Sequence, residues 1–113
     1  MSDLLGLAEA QLASSAPHSN RMACWLARSA LEGIIDRLLA ARDLDPGDRA
    51  SARSRLTCLE VAYEGTAIAG TVQYAWSRLS EACHQHAYQL SPTYSESRHL
   101  VELARSIAGG VTP

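Results

Sequence analysis

An amphipathic stretch at residues 21–43 constrains the fold of this sequence more than any other feature. Its apolar side chains repeat with the period of an α-helix and occupy more than half of the helix circumference: Met22, Leu26, Ala27, Ala30, Leu31, Ile34, Ile35 and Leu38. A helix this apolar is unstable at the surface of a small protein, because too much of it would face water. The stretch therefore predicts a long central helix that other helices cover on several sides.

The rest of the composition also favours helices. The chain has 113 residues, 47% of them hydrophobic, and it contains no phenylalanine and few valines or isoleucines, while alanine, leucine, arginine and glutamate recur. A chain of this length can bury roughly two-thirds of its unfolded surface around one core. We therefore expect an all-α protein with a single domain over residues 1–113.

Local signals divide the chain into five helical segments. Hydrophobic periodicity and turn residues predict helices at residues 3–16, 21–43, 49–63, 67–90 and 94–108. Asp48 is the expected N-cap of the third helix. Thr93 and Glu96 have the spacing of a capping box before the fifth helix, which Gly109 and Gly110 are expected to close. Because short connections join antiparallel neighbours, the sequence predicts an antiparallel four- to five-helix bundle.

Charge, cysteine use and hydropathy restrict the environment and the partners. A net charge of −2 provides no general attraction for nucleic acid, so we expect no DNA partner. The three cysteines are far apart and lie in helical sequence, which does not fit a disulfide framework. No apolar run approaches the roughly 20 residues that cross a bilayer, and the first residues do not resemble a secretory leader. We expect a cytoplasmic protein with reduced thiols, no membrane contact and no cofactor.

The stretch Tyr74–Leu90 holds the densest group of side chains that can bind, ionise or stack. On a regular helix, the residues of this region separate into two sets. The apolar set forms a core stripe of Val72, Trp76, Leu79, Cys83, Ala87 and Leu90. The set on the polar side, which is left for function, consists of Arg78, Ser80, His84 and Tyr88. His86 falls at the edge of the core stripe and is expected to be a structural histidine.

Cys83, His84 and His86 also belong to the residue types that bind zinc. A closed site would need further ligands, and the remaining cysteines and histidines follow no recognised spacing. A nucleophilic Cys83 is disfavoured as well, because a reactive thiolate needs partial exposure and a positive neighbourhood. We therefore expect a buried cysteine and no metal site.

The polar arc of the second helix carries a row of charges and one large aromatic residue. Arg28, Glu32 and Asp36 follow one another at intervals of four, which permits ion pairs along a solvated face. Trp25 lies on the same arc, where a large aromatic side chain more often meets a partner or a neighbouring helix. Trp25 and Arg28 are therefore candidate binding residues, in addition to Ser80 and Tyr88.

Three segments together resemble the HEPN superfamily of small helical bundles. They are W-L-A-R-S-A-L-E-G-I-I-D-R-L-L on the second helix, an L-x-x-L pattern on the third, and W-S-R-L-S-E-A-C-H-Q-H-A-Y on the fourth. Ribonucleases of that superfamily carry an arginine and a histidine a few residues apart, as Arg78 and His84 are here, with five residues between them. The resemblance implies that His84 would act as the acid or base and Arg78 would stabilise a phosphate, in a site shared by two subunits.

Three functions follow as alternatives. The first is a homodimeric interaction or regulatory module with a protein partner, in the bacterial defence or toxin–antitoxin setting that the resemblance implies. The second is a metal-independent endoribonuclease that uses Arg78 and His84 on RNA, since such cleavage needs a group that titrates near neutrality and a cation. The third is a bundle that binds a nucleotide between Trp25, Trp76, His84 and Tyr88.

Overall fold

The computed structural model describes residues 3–14, 16, 18–84 and 92–111. Over these residues the chain forms α-helices and no strand, so the all-α class is confirmed. The helices are α1 (Leu4–Ala13), α2 (Ser19–Ala40), α3 (Ala52–Ala62), α4 (Ile68–Cys83) and α5 (Tyr94–Val111). Within the same residues, no helix combines the length and apolar character that crossing a bilayer requires.

Helix α2 is the central element of the bundle, as the sequence predicts. It packs against α1, α3, α4 and α5, whereas α1, the first helix, lies against α2 and α5. The largest side chains with almost no exposure come from four of the helices: Leu31, Ile34, Ile35, Leu39, Leu59, Val72, Leu79, Leu100 and Val101. The core is therefore built around one face of α2.

The buried face of α2 is rotated from the predicted stripe near its first turns. Met22 was expected in the core and is instead exposed, whereas Ala23 and Cys24 are completely buried. Leu39, beyond the predicted stripe, is also buried. An arc centred on Ala27 and Leu31 is covered by neighbouring helices, and Met22 lies outside it. The rotation leaves an apolar side chain on the surface.

Side chains that cap the helices differ in part from the predicted ones. Asp3 caps α1, because its carboxylate accepts a hydrogen bond from Gly6 N at 3.0 Å. The cap of α3 is Ser51, whose hydroxyl accepts from Ser54 N at 3.1 Å, and the prediction of Asp48 was wrong. The connection before α3 is longer than predicted. Helix α3 begins at Ala52, three residues after the predicted start at residue 49.

Two helix ends also differ from prediction. Helix α4 ends at Cys83 rather than at residue 90, although neither glycine nor proline marks this end; residues 85–91 lie outside the described part. Helix α5 continues through Gly109 and Gly110, which were expected to close it. Among the described glycines, only Gly47 and Gly65 have the positive φ that closure by glycine requires.

Gly33, in the middle of α2, provides a test of the fold. An added Cβ at this position would meet no atom within 4 Å. We expect Gly33→Ala to raise the free energy of unfolding by about 0.5–1 kcal/mol, because glycine loses more backbone entropy in a helix than alanine does. Urea unfolding measures the change. Gly65→Ala is the contrasting control, since a φ of 83° strains any other residue. A lower free energy of unfolding in Gly33→Ala would contradict the placement of Gly33 in a helix with open space around its Cβ position.

Candidate functional site

The guanidinium of Arg78 is held between two carboxylates. Nη2 donates a hydrogen bond to Glu96 Oε1 of α5 at 2.6 Å, and Nη1 lies 3.7 Å from Glu81 Oε2 on the same helix. The Arg78 side chain is 42% exposed. Arg78 is therefore accessible to solvent, but its positive charge is already balanced within the chain.

Glu96 owes its position to the first turn of α5. Thr93 Oγ1 accepts a hydrogen bond from Glu96 N at 3.0 Å, and Thr93 O accepts one from Ser97 N at 2.9 Å. Ser97 is completely buried, where the Cys24 thiol donates to its hydroxyl at 3.5 Å. These contacts fix the turn and direct the Glu96 carboxylate toward α4. The sequence predicts the capping role of Glu96 but gives no sign of its ion pair with Arg78.

His84 is the first residue after α4. Its backbone has φ −104° and ψ 29°, outside the helical region, and its N–H donates to Ser80 O at 3.0 Å. His84 is an exposed residue. The prediction that Arg78 and His84 share one continuous helix was wrong, because α4 ends between them. The helical projection predicts Tyr88 on the polar side and His86 at the edge of the core stripe. Both residues lie outside the described part of the chain.

Ser80 and Arg28 form a contact between α4 and α2. Arg28 Nε donates to Ser80 Oγ at 3.0 Å, and the guanidinium carbon lies 4.3 Å from the centroid of the Trp76 ring. Such stacking of a cation on a largely buried tryptophan is stabilising. Ser80 therefore faces α2, whereas Arg78 pairs with α5, and the two predicted site residues are directed to different neighbours.

The predicted row of charges on α2 divides between two partners. Arg28 Nη1 lies 3.8 Å from Glu32 Oε1, as expected for residues four apart. Asp36 instead pairs with Arg55 of α3. This pair supplies a carboxylate near the start of α3, where a positive side chain is otherwise disfavoured by the helix dipole.

An exposed apolar surface lies on the first turns of α2. Trp25 is 53% exposed and Met22 is 46% exposed. We call these two side chains the α2 surface. They line an open cleft of about 260 Å³ whose other lining residues are His18, Arg21 and Cys83. The sequence leaves open whether Trp25 meets a partner or a neighbouring helix, and its side chain is exposed in this structure.

The two tryptophans line separate clefts. Trp76 borders a cleft of about 230 Å³ beside Arg28 and Arg55, and Trp25 is not among the residues that line it. Arg28 covers the ring of Trp76. Among the described residues, Trp25 and Trp76 therefore border different clefts.

The cysteine side chains are free thiols in protected surroundings. Cys24 is completely buried and Cys83 is half-buried, and Cys58 is also unpaired. Burial raises the pKa of the Cys24 thiol, and it likewise raises the pKa of the Cys83 thiol. Both groups are therefore protonated near neutral pH, which disfavours nucleophilic chemistry at Cys83. Among the described residues, no three histidine, cysteine, aspartate or glutamate side chains group in a way that could hold a metal ion.

Comparisons of this chain with protein-family models, with curated proteins and with solved structures find no match. The resemblance to the HEPN superfamily therefore stays a prediction. The candidate site consists of Arg78, whose charge is balanced by carboxylates, the exposed His84 at the end of α4 and the exposed Trp25 on α2.

The contact of Arg28 with Trp76 and Ser80 leads to a stability prediction. We expect Arg28→Ala to lower the free energy of unfolding by about 1–2 kcal/mol, because it removes a cation–π contact and a hydrogen bond at a partly buried position. Glu32→Ala, which removes only an exposed partner of the same arginine, is expected to cost less than about 0.5 kcal/mol. Urea unfolding followed by circular dichroism measures both. Equal losses of unfolding free energy in the two variants would contradict a stabilising contact of Arg28 with Trp76 and Ser80.

Proposed function

We propose that this protein is a HEPN-like, antiparallel helical bundle that dimerises and serves as an interaction or regulatory module, in a bacterial defence or toxin–antitoxin setting. The observation that carries the proposal is the α2 surface, where Trp25 and Met22 are exposed on the most firmly packed helix of the bundle. A rigid helix presents such side chains from a backbone that is already ordered before binding, so only side-chain freedom is lost.

The chemistry of the α2 surface supports a protein partner. Tryptophan and arginine dominate the binding energy of protein interfaces, and Trp25 shares its cleft with Arg21. Met22 adds a flexible apolar side chain that adapts to an opposing surface. An aromatic centre with a polar rim is the usual anatomy of an interface.

A second copy of the chain is the partner that we favour. The HEPN resemblance implies paired subunits, and a two-fold contact uses the same patch on each copy. Each copy would contribute Trp25, so the contact would contain two such anchors. Such a contact would cover the exposed Trp25 of each copy at the same time.

The state of Arg78 supports a role without catalysis. An arginine that stabilises a phosphate needs its donors free to meet the anion. Here one donor already binds Glu96 at 2.6 Å, and Glu81 lies close to another. The pairing of Arg78 with these carboxylates therefore supports a non-catalytic role within a single chain.

The dimer is tested by substitution of Trp25. We expect the wild-type protein to be a dimer at micromolar concentration and Trp25→Ser to weaken association by about 10- to 100-fold, the effect of losing an interface hot spot. Sedimentation equilibrium or light scattering measures the mass. Val61→Ser is the matched control, because Val61 is 72% exposed on α3 and lies outside the α2 surface. A monomeric wild-type protein, or equal effects of the two substitutions, would remove the proposal.

A metal-independent endoribonuclease is the second candidate, and one observation favours it. Arg78 and His84 both reach solvent near the same end of α4. An exposed imidazole could take the proton of an RNA 2′-hydroxyl, and an arginine could balance the charge that develops on phosphorus. This function would require Arg78 to leave Glu96.

The two candidates are separated by incubation of purified protein with mixed RNA in the presence of EDTA. For a non-catalytic module we expect intact RNA with the wild-type protein, as judged on a denaturing gel. His84→Ala and Arg78→Ala are the matched variants. Cleavage by the wild type that disappears in both variants would favour the nuclease over the non-catalytic module. Cleavage that persists in both variants would indicate a contaminating nuclease.

A further inference from the structure

The solvent side of α2 carries a row of residues that changes from a bulky side chain to none. Trp25, Ser29, Gly33 and Arg37 follow one another at intervals of four, so each lies about one turn further along α2 and about 40° further around it. Trp25, Gly33 and Arg37 are exposed, and Ser29 is partly exposed. The row therefore has a projecting indole on one side of Ser29 and a residue without a side chain at an equal distance on the other.

Gly33 borders space that a side chain of another molecule can occupy. An added Cβ at Gly33 would meet no atom within 4 Å. The cleft beside it has a volume of about 530 Å³, and Ser29, Ala30 and Ile34 line it together with residues of α1 and α5. Pockets of this volume hold small ligands, so a single side chain fits. The backbone of α2 can thus be approached closely at Gly33.

Charged side chains at the two ends of the same face complement each other. Arg21 lies on the first turn of α2, its Nε is buried without a hydrogen-bond partner, and the ion pairs among the described residues do not include it. Glu32 and Asp36 lie on the same side of the row, and their side chains remain 57% and 50% exposed despite their pairings within the chain. Arg21 precedes Ser29 by eight residues and Asp36 follows it by seven, so opposite charges stand at nearly equal distances from Ser29.

We propose that two copies of α2 pack against each other in antiparallel directions and cross at Ser29, so that Trp25 of each copy covers Gly33 of the other. A two-fold axis beside Ser29 exchanges positions at equal distances on its two sides, which brings Trp25 onto Gly33 and Arg21 toward Asp36. Packing through rows at intervals of four is the commonest class of helix contact in globular proteins. The inference rests on the proposed function, because it names the contact through which the dimer forms.

The self-complementarity of this face identifies a second copy as its occupant. The face holds both a bulky side chain and the space that receives it, and one side of the face holds both a cation and carboxylates. A parallel contact would place Trp25 against Trp25 and Arg21 against Arg21, and it would leave the space beside Gly33 open. The antiparallel contact also keeps Arg37 away from Arg21, since the two lie about 160° apart around the helix. Each complementary pair is therefore formed twice.

The contact is tested by the substitution Gly33→Leu, which fills the space that Trp25 would occupy. We expect the wild-type protein to be a dimer at micromolar concentration and Gly33→Leu to weaken association by about 10- to 100-fold, the effect of losing an interface hot spot. Sedimentation equilibrium measures the mass. Leucine is a better helix former than glycine, so the variant is expected to stay folded, which circular dichroism checks.

Gly70→Leu is the matched control for Gly33→Leu. Gly70 is exposed on α4, and an added Cβ there would likewise meet no atom within 4 Å. We expect this variant to associate as the wild type does. Equal association of the two leucine variants would overturn the antiparallel contact, and so would a parallel dimer, which is insensitive to the side chain at Gly33.

A mixture of Gly33→Leu with Trp25→Ser provides a second test. Each variant alone loses both contacts of the dimer. A heterodimer regains one, because Trp25 of the first chain meets the unfilled Gly33 of the second, while at the other contact the leucine faces a serine. We expect the mixed pair to associate about three- to tenfold more tightly than either variant alone, the square root of the loss in the homodimers. A mean mass of the mixture no higher than that of the separate solutions would overturn the pairing of Trp25 with Gly33.

Failure of this contact and failure of the proposed function give different results. A monomeric wild-type protein would remove the dimeric module and the contact together. A dimer that Trp25→Ser weakens and Gly33→Leu leaves unchanged would keep the module and overturn the antiparallel contact alone.

Discussion

Burial of the apolar face of α2 is the constraint on which the rest of the structure depends. That face is too wide for one neighbour to cover, and the described structure places α1, α3, α4 and α5 around it. Each covering helix then brings its own polar side chains to the edges of α2. Ser80 meets Arg28 in this way, and Asp36 meets Arg55. Among the described residues, Met22 and Trp25 are the large apolar side chains of α2 that stay exposed, and they form the candidate interaction surface.

The sequence predicts the fold well where the signal is periodic and local. Helical repeats locate the five helices, and the breadth of the stripe identifies α2 as central. It predicts helix ends less well. Several residues near the start of α3 can act as caps. Ser51 is the cap rather than Asp48, because the Ser51 hydroxyl accepts a hydrogen bond from Ser54 N. At the end of α4 no residue carries a stop signal, since the helix ends at Cys83 without glycine or proline.

The candidate site could be predicted only in part, for a related reason. Composition and helical projection identify Arg78, His84, Trp25 and Arg28 as residues of interest. Arg78 and Glu96 lie on different helices and are 18 residues apart in the chain, and no local pattern encodes their pairing. It depends on how α5 packs against α4. Charge balance at a surface arginine is thus a tertiary property, and a motif of two residues is insufficient to establish the chemistry of a site.

The different surroundings of the two tryptophans give the protein two separate optical reporters. Trp76 is largely buried beneath Arg28, so its emission depends on the integrity of the contact between α2 and α4. Trp25 faces water on the α2 surface, so its emission depends on whether something covers that surface. With the other tryptophan replaced by tyrosine, each indole becomes a single intrinsic probe. Opening of the bundle and occupation of its surface can then be followed independently, without an attached dye.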